Sequence, residues 1–411
     1  MKDNAINKLF RLSWMLFLIY LVERPLLSNI VLDTVVMVLL TLSFFGGCVL
    51  NIKTFTFSEV ALFLIILCII ATSILYIGQA ITVTLIKAVF LFFVNYLSVV
   101  LLSKSAITKR TYDFVFSCTV LASLLFIVYY FSPIAYIVTT SNGKKVVDEF
   151  TCNLDNSNYA AIVLFVLFSI LLINLKTRKR KIGIVILLAS LLYLIIQTAA
   201  RSCLISAIVM ILCYILQSIK QQKGVFKISK SVVVIVSLLP LLFVGVYLWM
   251  FYNLDKNIVI LNKPLFSGRE DVYVEYIGKI SNLIELLIGN ITAAQFQNAH
   301  NGPLSIFVST GLVGLIITYF LLITSMFRIY KRNTTCAFFC LISILCMLFQ
   351  SCAESALMVG GVVSLVGFCG VFFLSSYDVN YIQIPQHYHE NRIDDCGFRK
   401  YSLKNYKPYT V

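Results

Sequence analysis

Two arginines and one histidine have the chemistry and the positions expected of a reactive site. Arg201 lies in a turn, from Gln197 to Ser202, so short that it joins two apolar stretches almost directly. A guanidinium at such a boundary must be hydrated, paired or turned toward a polar cavity. The structural alternative is that the side chain extends to lipid headgroups.

Arg269 lies in residues 252–302, the longest polar interval ahead of the C-terminal tail. It follows Gly268 and precedes Glu270 and Asp271, so an ion pair with these neighbours is the structural alternative. Apolar residues then recur at helical spacing, which predicts an amphipathic helix lying on, or re-entering, the outer membrane surface. The residues on this face are Tyr273, Tyr276, Ile277, Ile280, Leu283, Ile284 and Leu287. Arg269 and the helix amino-terminus would together form an anion site.

His300 is one of three histidines and lies just before Pro303, a residue favoured at a helix start. This position predicts an imidazole at the outer mouth of the next apolar segment, although a lone histidine is more often structural. His387 and His389 lie in the tail without further ligands, so no metal site is predicted there.

Lys87 is the one cation that falls within a predicted span. It could line a cavity and contact a polar ligand, or it could extend to the membrane surface. Glu59 and Glu354 lie at the ends of apolar segments and are interpreted as boundary charges. A disulfide among Cys152, Cys203 and Cys352 is an open alternative.

Composition identifies the elements that must position these residues. The chain has 411 residues, of which 60% are hydrophobic and 12% charged. We expect an all-α polytopic membrane protein with about 12 transmembrane helices, because only helices satisfy their own backbone in lipid with this pattern. No cleavable signal peptide is predicted, since the first apolar block lacks a small-residue cleavage site. The apolar blocks cover residues 9–23, 30–50, 58–77, 80–102, 114–131, 158–175, 182–198, 202–219, 231–251, 303–327, 334–350 and 359–375.

The net charge of +15 is distributed by topology and does not indicate a nucleic-acid partner. With the N-terminus inside, the inner segments hold 24 of the Lys and Arg residues and the outer segments hold 8. This bias predicts that both termini are cytoplasmic. The predicted transmembrane domain covers residues 1–375, with outer loops at about 132–157 and 252–302, and a polar cytoplasmic tail covers 376–411.

Several short motifs resemble those of the O-antigen polymerase and ligase family, whose polymerases are of the Wzy type. Residues 198–202 resemble the family's Thr-x-Ser-Arg turn, with Ala200 in place of the usual Ser. Residues 267–269 resemble its Ser/Thr-Gly-Arg. Residues 299–301 followed by 311–314 resemble its His-Asn and Gly-Leu-x-Gly signature, and residues 153–158 are similar to its Asn-rich patch.

The resemblance implies a fold like that of the integral-membrane (GT-C-like) glycosyltransferases, with a large periplasmic loop. It also implies glycosyl transfer from an undecaprenyl-diphosphate-linked oligosaccharide in the bacterial inner membrane. Arg201 and Arg269 would stabilise the departing diphosphate, so that no metal or other cofactor is expected. His300 would be the base for the acceptor hydroxyl, with Glu270 second, and inversion at the anomeric carbon is expected. The residues expected to contact substrate are Lys87, Lys144, Lys145, Asn158 and Asn301.

The first hypothesis is therefore a repeat-unit polymerase for O-antigen or a related surface polysaccharide. An O-antigen ligase that transfers glycan to lipid A-core is the alternative within the same class. A flippase or transporter of lipid-linked sugars would instead concentrate polar groups near mid-membrane. A membrane scaffold would leave the coincidence of the two arginines and the histidine unexplained. The expected partners are the lipid-linked oligosaccharide, membrane lipids and, from the resemblance alone, a chain-length regulator.

Overall fold

The computed structural model is a helical bundle whose apolar helices coincide with the predicted blocks. Nine helices in the described part of the chain are long and apolar enough to cross a membrane. They are α1 (Lys2–Leu26), α2 (Ile30–Leu50), α3 (Phe57–Ile77), α4 (Val83–Lys104), α5 (Lys109–Tyr130), α6 (Ser157–Thr177), α8 (Arg201–Lys220), α9 (Lys230–Asn253) and α13 (Gly302–Arg332). The protein is therefore a multi-pass membrane protein. The residues described by the structure are 2–27, 30–77, 82–132, 136–141, 144–154, 156–178, 181–220, 228–254, 259–260, 263–264, 268–294, 299–355 and 357–377.

Three further apolar helices are shorter. They are α7 (Ile182–Gln197), α14 (Thr335–Gln350) and a π-helical segment (Ser364–Phe368) that continues into α15 (Cys369–Leu374). Residues Met1–Tyr377 form one compact unit. Of the predicted cytoplasmic tail, residues 376–411, those from 378 onward lie outside the described residues.

The two loops predicted to be outer, about 132–157 and 252–302, each contain a short β-hairpin. β1 (Tyr136–Ser141) and β2 (Lys144–Phe150) form an antiparallel hairpin with a register shift between Thr139 and Thr140. A second hairpin pairs β3 (Val259–Ile260) with β4 (Lys263–Pro264). Helices account for the apolar segments, so the all-α fold class is confirmed. The two short hairpins lie in polar loops, which carry no membrane-length apolar signal.

The bundle is built around α6, which is buried along almost its whole length, from Ala160 to Leu175. Helices α2, α8 and α9 instead leave many large apolar side chains exposed, such as Val31, Ile219 and Leu242. Such exposure is costly in water but favourable in lipid. The sequence cannot distinguish these two environments, because both favour apolar residues all around the helix.

Two opposite faces of the bundle can be defined by polar contacts. On one, called here the Glu59 face, the Glu59 carboxylate forms ion pairs with Lys104 and Arg328. Arg332 on the same face donates to the carbonyl oxygen of Ser103 at 2.5 Å. The boundary interpretation of Glu59 is thus refined, because it neutralises two cations from other helices. The other face, called the Glu354 face, holds the opposite ends of these helices.

The predicted amphipathic helix is broken in the structure. α10 (Arg269–Gly278) ends at Lys279, and α11 (Leu283–Ile288) and α12 (Ile291–Ala294) follow as separate short helices. Asn282 begins α11 by accepting a hydrogen bond from the Glu285 amide, at 2.9 Å. An Asn that caps a new helix competes with continuation of the previous one. Periodicity alone did not reveal this break, since the apolar spacing continues through it.

Two glycines allow the segment after α11 to lie directly against α13. A Cβ atom at Gly289 would lie 2.5 Å from the backbone of Thr310, and one at Gly311 would lie 2.2 Å from the carbonyl oxygen of Leu287. Gly311 has φ 67° and kinks α13. Only glycine adopts this conformation without a steric penalty. The motif 311–314 therefore has a packing explanation within this chain.

Candidate active site

Glu354 is the centre of a cluster on the face that bears its name. Its side chain is almost fully buried in the turn after α14. Oε1 accepts a hydrogen bond from Asn158 Nδ2 at 2.8 Å. The same oxygen lies 3.6 Å from His300 Nδ1 and 3.7 Å from Arg269 Nη2. One carboxylate oxygen thus brings together three residues that were predicted separately as site residues.

Each of these residues comes from a different segment of the chain and lies close to a turn. Residues at positive φ occur at or just before the cluster residues in the loops. They are Cys152 and Asn153 ahead of Asn158, Ala199 ahead of Arg201, Gly268 ahead of Arg269, and His300 itself. Non-glycine residues rarely adopt this conformation and often do so at functional sites. The turns are therefore held by packing around them, which fixes the directions from which these side chains enter.

Arg201 is the first residue of α8, and its guanidinium lies within electrostatic range of Arg269 and of the Tyr247 hydroxyl. Two residues further along α8, Cys203 lies within electrostatic range of Glu354. The two predicted arginines therefore lie on the same side of the bundle, near one cluster. Positive charges placed in this way favour an anionic ligand between them.

Both carboxylate oxygens of Glu270 accept hydrogen bonds from groups within the protein. Its Oε2 accepts a hydrogen bond from the Tyr247 hydroxyl and its Oε1 accepts one from the Gly268 amide, both at 3.2 Å. The carboxylate therefore satisfies a backbone donor at the start of α10, where a negative charge is stabilised. The Gly268 amide is therefore already used within the protein, and the anion site at this helix end stays a prediction. Glu270 as a second base remains a prediction.

Tyr273 connects the segments that hold the cluster. Its hydroxyl is shared between the carbonyl oxygens of His300 and Cys352, at 3.3 Å from each. The ring is fully buried and packs edge-on against Tyr247. Burial raises the pKa of the Tyr273 phenol well above its ordinary value, although the nearby Arg269 opposes this shift. Tyr273 therefore remains a protonated donor throughout the neutral range.

Asn301 lies beneath the cluster and not in it. Its side chain is fully buried, and Nδ2 donates to the carbonyl oxygens of Pro240 at 2.9 Å and Cys352 at 3.2 Å. Oδ1 accepts from the Leu304 amide at 2.8 Å and caps α13. Both ends of the amide are thus committed within the protein. The expected contact of Asn301 with substrate does not fit this arrangement, because the side chain is inaccessible.

Of the three predicted lysines, only Lys87 has a described side chain. Lys87 is exposed near the start of α4, and within the described residues no hydrogen bond or ion pair links it to Glu354. Lys144 and Lys145 lie in β2, where only the backbone is described. Their substrate contacts remain predictions. The eleven cysteines within the described part of the chain are all free, including Cys152, Cys203 and Cys352.

Sequence reasoning missed the role of Glu354. The turn that holds it, residues 351–355, separates two apolar segments and has no motif spacing of its own. The one available signal was a single carboxylate in the turn between apolar segments on the same predicted face as the two arginines. A charge of this kind is costly unless it is paired. Its partners had to be cations on the same predicted face, and Arg269 and His300 were two of the candidates there.

No family model, no curated protein and no solved structure matches this chain. Its chemistry must therefore be inferred from the cluster itself. A search for groups of three or more potential metal ligands found none among the described residues.

Proposed function

We propose that this protein is a glycosyltransferase that joins undecaprenyl-diphosphate-linked repeat units of O-antigen or a related surface polysaccharide. The observation that supports this proposal best is the convergence of Arg269, His300 and Asn158 on Glu354, beside Arg201. It combines a pair of cations suited to a diphosphate with a histidine suited to deprotonating a hydroxyl. We further propose that the bundle has 12 spans, a GT-C-like arrangement and cytoplasmic termini in the bacterial inner membrane.

In the proposed reaction, the acceptor sugar hydroxyl attacks the anomeric carbon of the donor glycan. The bond from that carbon to the diphosphate oxygen breaks as the new glycosidic bond forms, with inversion. Negative charge grows on the departing diphosphate, where Arg201 and Arg269 stabilise it. His300 takes the proton of the acceptor hydroxyl, through Nε2, because Nδ1 faces Glu354.

Glu354 has a particular part in this proposal, as a positioning residue shared by Arg269 and His300. The Arg269 guanidinium lies 3.7 Å from the carboxylate, beyond hydrogen-bond distance, so a diphosphate can attract it away. Once Arg269 binds the diphosphate, the Glu354 charge acts mainly on His300. The carboxylate then keeps Nδ1 of His300 on its own side of the ring and leaves Nε2 for the acceptor hydroxyl. Donor binding would thereby leave Glu354 free to orient the base.

The test is reconstitution of the full chain in vesicles with an undecaprenyl-diphosphate-linked repeat unit. We expect wild type to lengthen the glycan, whereas Arg269→Ala and His300→Ala do so at least about 100-fold more slowly. Lys279→Ala is the matched control, because Lys279 lies in the same loop, pairs with Glu275 at 3.4 Å and is not part of the cluster. Chain growth by both variants at the wild-type rate would remove the assigned roles.

The same donor chemistry also serves a ligase, which differs in its acceptor. Adding lipid A-core to a parallel reaction distinguishes the two. Transfer to lipid A-core without chain growth would identify the ligase activity. Passage of intact lipid-linked repeat units across the membrane, with neither product, would identify the transporter alternative and contradict the proposed reaction.

A further inference from the structure

A second site with ligand-binding character lies on the Glu59 face, at the opposite end of the bundle from the proposed active site. A groove of about 490 Å³ runs between α1 and α5. This volume is in the range of small-molecule sites in proteins. The residues that matter for its chemistry are Lys8, Arg11, Leu12, Met15, Arg110 and Phe114.

These six residues form three pairs with the same spacing. Lys8 and Leu12, Arg11 and Met15, and Arg110 and Phe114 are each four residues apart on their helix. Residues at this spacing lie on one face, about 6 Å apart along the axis. In every pair the cation is nearer the helix end and the apolar residue is one turn further into the bundle. The groove is therefore cationic at its mouth and apolar along its wall.

The carboxylate of Asp113 also lines the groove, but its ion pair is with a cation that does not line the groove. Its Oδ1 accepts a hydrogen bond from Arg178 Nη2 at 2.6 Å. Arg178 is itself held by Asn174 and by the ring of Phe116. Among the described residues, no ion pair neutralises Lys8, Arg11 or Arg110. The mouth thus retains a local charge of three cations.

The apolar wall is open to the surroundings. Leu12 is 42% exposed and Met15 is 48% exposed. Both residues lie within an apolar helix of membrane-spanning length, so the surroundings of the wall are acyl chains and those of the mouth are headgroups. A ligand that fills the whole groove must therefore have an anionic head joined to an apolar chain.

We propose that this groove binds an anionic glycerophospholipid, independently of the proposed glycosyl transfer. The phosphate lies among Lys8, Arg11 and Arg110, and one acyl chain runs along Leu12, Met15 and Phe114. Basic pockets between membrane helices are known to select anionic headgroups. Free phosphate has the same charge but lacks the chain, so it would contact only the mouth.

The test measures the affinity of the full chain for phosphatidylglycerol and for phosphatidylcholine, in a neutral detergent, by native mass spectrometry. We expect the triple variant K8Q/R11Q/R110Q to bind phosphatidylglycerol about 100-fold more weakly, since each cation near an anionic lipid contributes about fivefold. Binding of phosphatidylcholine should change by less than about threefold, because the headgroup has no net charge.

The matched control is K53Q/K230Q/K331Q, which removes three exposed cations on the same face but outside the groove. It should retain the wild-type affinity for phosphatidylglycerol within about threefold, because exposed cations outside the groove are screened and do not contact the lipid phosphate. A second variant, Met15→Glu, keeps all three cations and should also weaken phosphatidylglycerol binding at least about tenfold by like charge. Three outcomes would overturn the proposal. The first is an equal loss of phosphatidylglycerol affinity in the control triple variant, and the second is wild-type affinity in both groove variants. The third is displacement of phosphatidylglycerol by glycerol phosphate at equal concentration.

Discussion

The imidazole Nδ1 of His300 lies 3.6 Å from Oε1 of Glu354. The carboxylate is buried, and Asn158 holds it by a hydrogen bond of 2.8 Å, so it cannot turn away without breaking that bond. His300 in turn has φ 51°, a conformation that directs its side chain out of the regular course of the backbone. The contact therefore fixes Nδ1 as the imidazole nitrogen that faces the carboxylate.

Glu354→Gln is expected to lower the rate of the proposed glycosyl transfer by about 10- to 100-fold while the protein remains folded. The amide keeps the hydrogen-bonding capacity toward Asn158 but removes the negative charge that faces His300 and Arg269. Steady-state kcat and KM values of the variant and of wild type measure the effect.

The control for this prediction is Glu285→Gln. Glu285 is also a buried carboxylate on the same face, but it accepts hydrogen bonds from Ser281, at 2.7 Å and 2.8 Å, and lies outside the cluster. It should retain the wild-type rate of glycosyl transfer. Equal losses of rate in the two variants would show that the role of Glu354 is structural.

The arginine pair gives a second prediction. Arg201→Ala and Arg269→Ala should each reduce kcat by about 10²- to 10³-fold, the cost of removing one donor to a developing negative charge. Because the two guanidinium groups lie within electrostatic range of each other and would share one diphosphate, the double variant should lose less than the product of the single losses. Double-variant kinetics with the lipid-diphosphate donor measure this coupling, and fully multiplicative losses would show that the arginines act separately.

The sequence was sufficient to predict the helical segments, because membrane-length apolar blocks are a local signal. It also placed Arg201, Arg269 and His300 on one face. It could not reveal that Glu354 joins Arg269 and His300, since that contact depends on how distant helices pack. Nor could it reveal that the Asn301 side chain bonds to buried backbone groups, because those contacts also depend on how distant helices pack.

The contact between Gly289 and the kink at Gly311 gives a third prediction. Gly311→Ala would place a methyl group 2.2 Å from the Leu287 carbonyl oxygen, at φ 67°. Overpacking costs about 1–3 kcal/mol, and a side chain on a left-handed backbone costs about 1–2 kcal/mol. We therefore expect the free energy of unfolding to fall by about 3 kcal/mol. Gly245→Ala is the control, because nothing lies within 4 Å of its added methyl, and it should stabilise the helix by about 0.5–1 kcal/mol. Melting temperatures in detergent compare the two.

Asn301→Ala is expected to lower stability by about 2–4 kcal/mol. The substitution removes the side-chain partner of the Pro240 carbonyl oxygen and of the Leu304 amide, and one of the two donors to the Cys352 carbonyl oxygen. Asn282→Ala removes a cap of the same chemistry from the exposed start of α11 and should cost about 1 kcal/mol. Equal melting temperatures for the two variants would contradict the structural role of Asn301.

Tyr273 gives a prediction for alkaline pH. Burial raises the pKa of its phenol above the ordinary value of 10, so above pH 10 the unfolded chain loses this proton before the folded protein does. The contribution of Tyr273 is therefore fully present below pH 10 and decreases as pH rises from 10 toward the folded-state pKa. Tyr273→Phe, which lacks the hydroxyl and its two contacts, should be less stable by about 1–2 kcal/mol at pH 8.

The difference between wild type and Tyr273→Phe should then narrow between pH 10 and pH 11, because only wild type loses the stabilisation from this phenol. Apparent melting temperatures across pH 8–11 measure the effect, and the comparison cancels contributions from the other buried phenols and thiols. A constant difference across this range would mean that the Tyr273 hydroxyl ionises equally in both states, and hence that it is hydrated and does not connect His300 to Cys352.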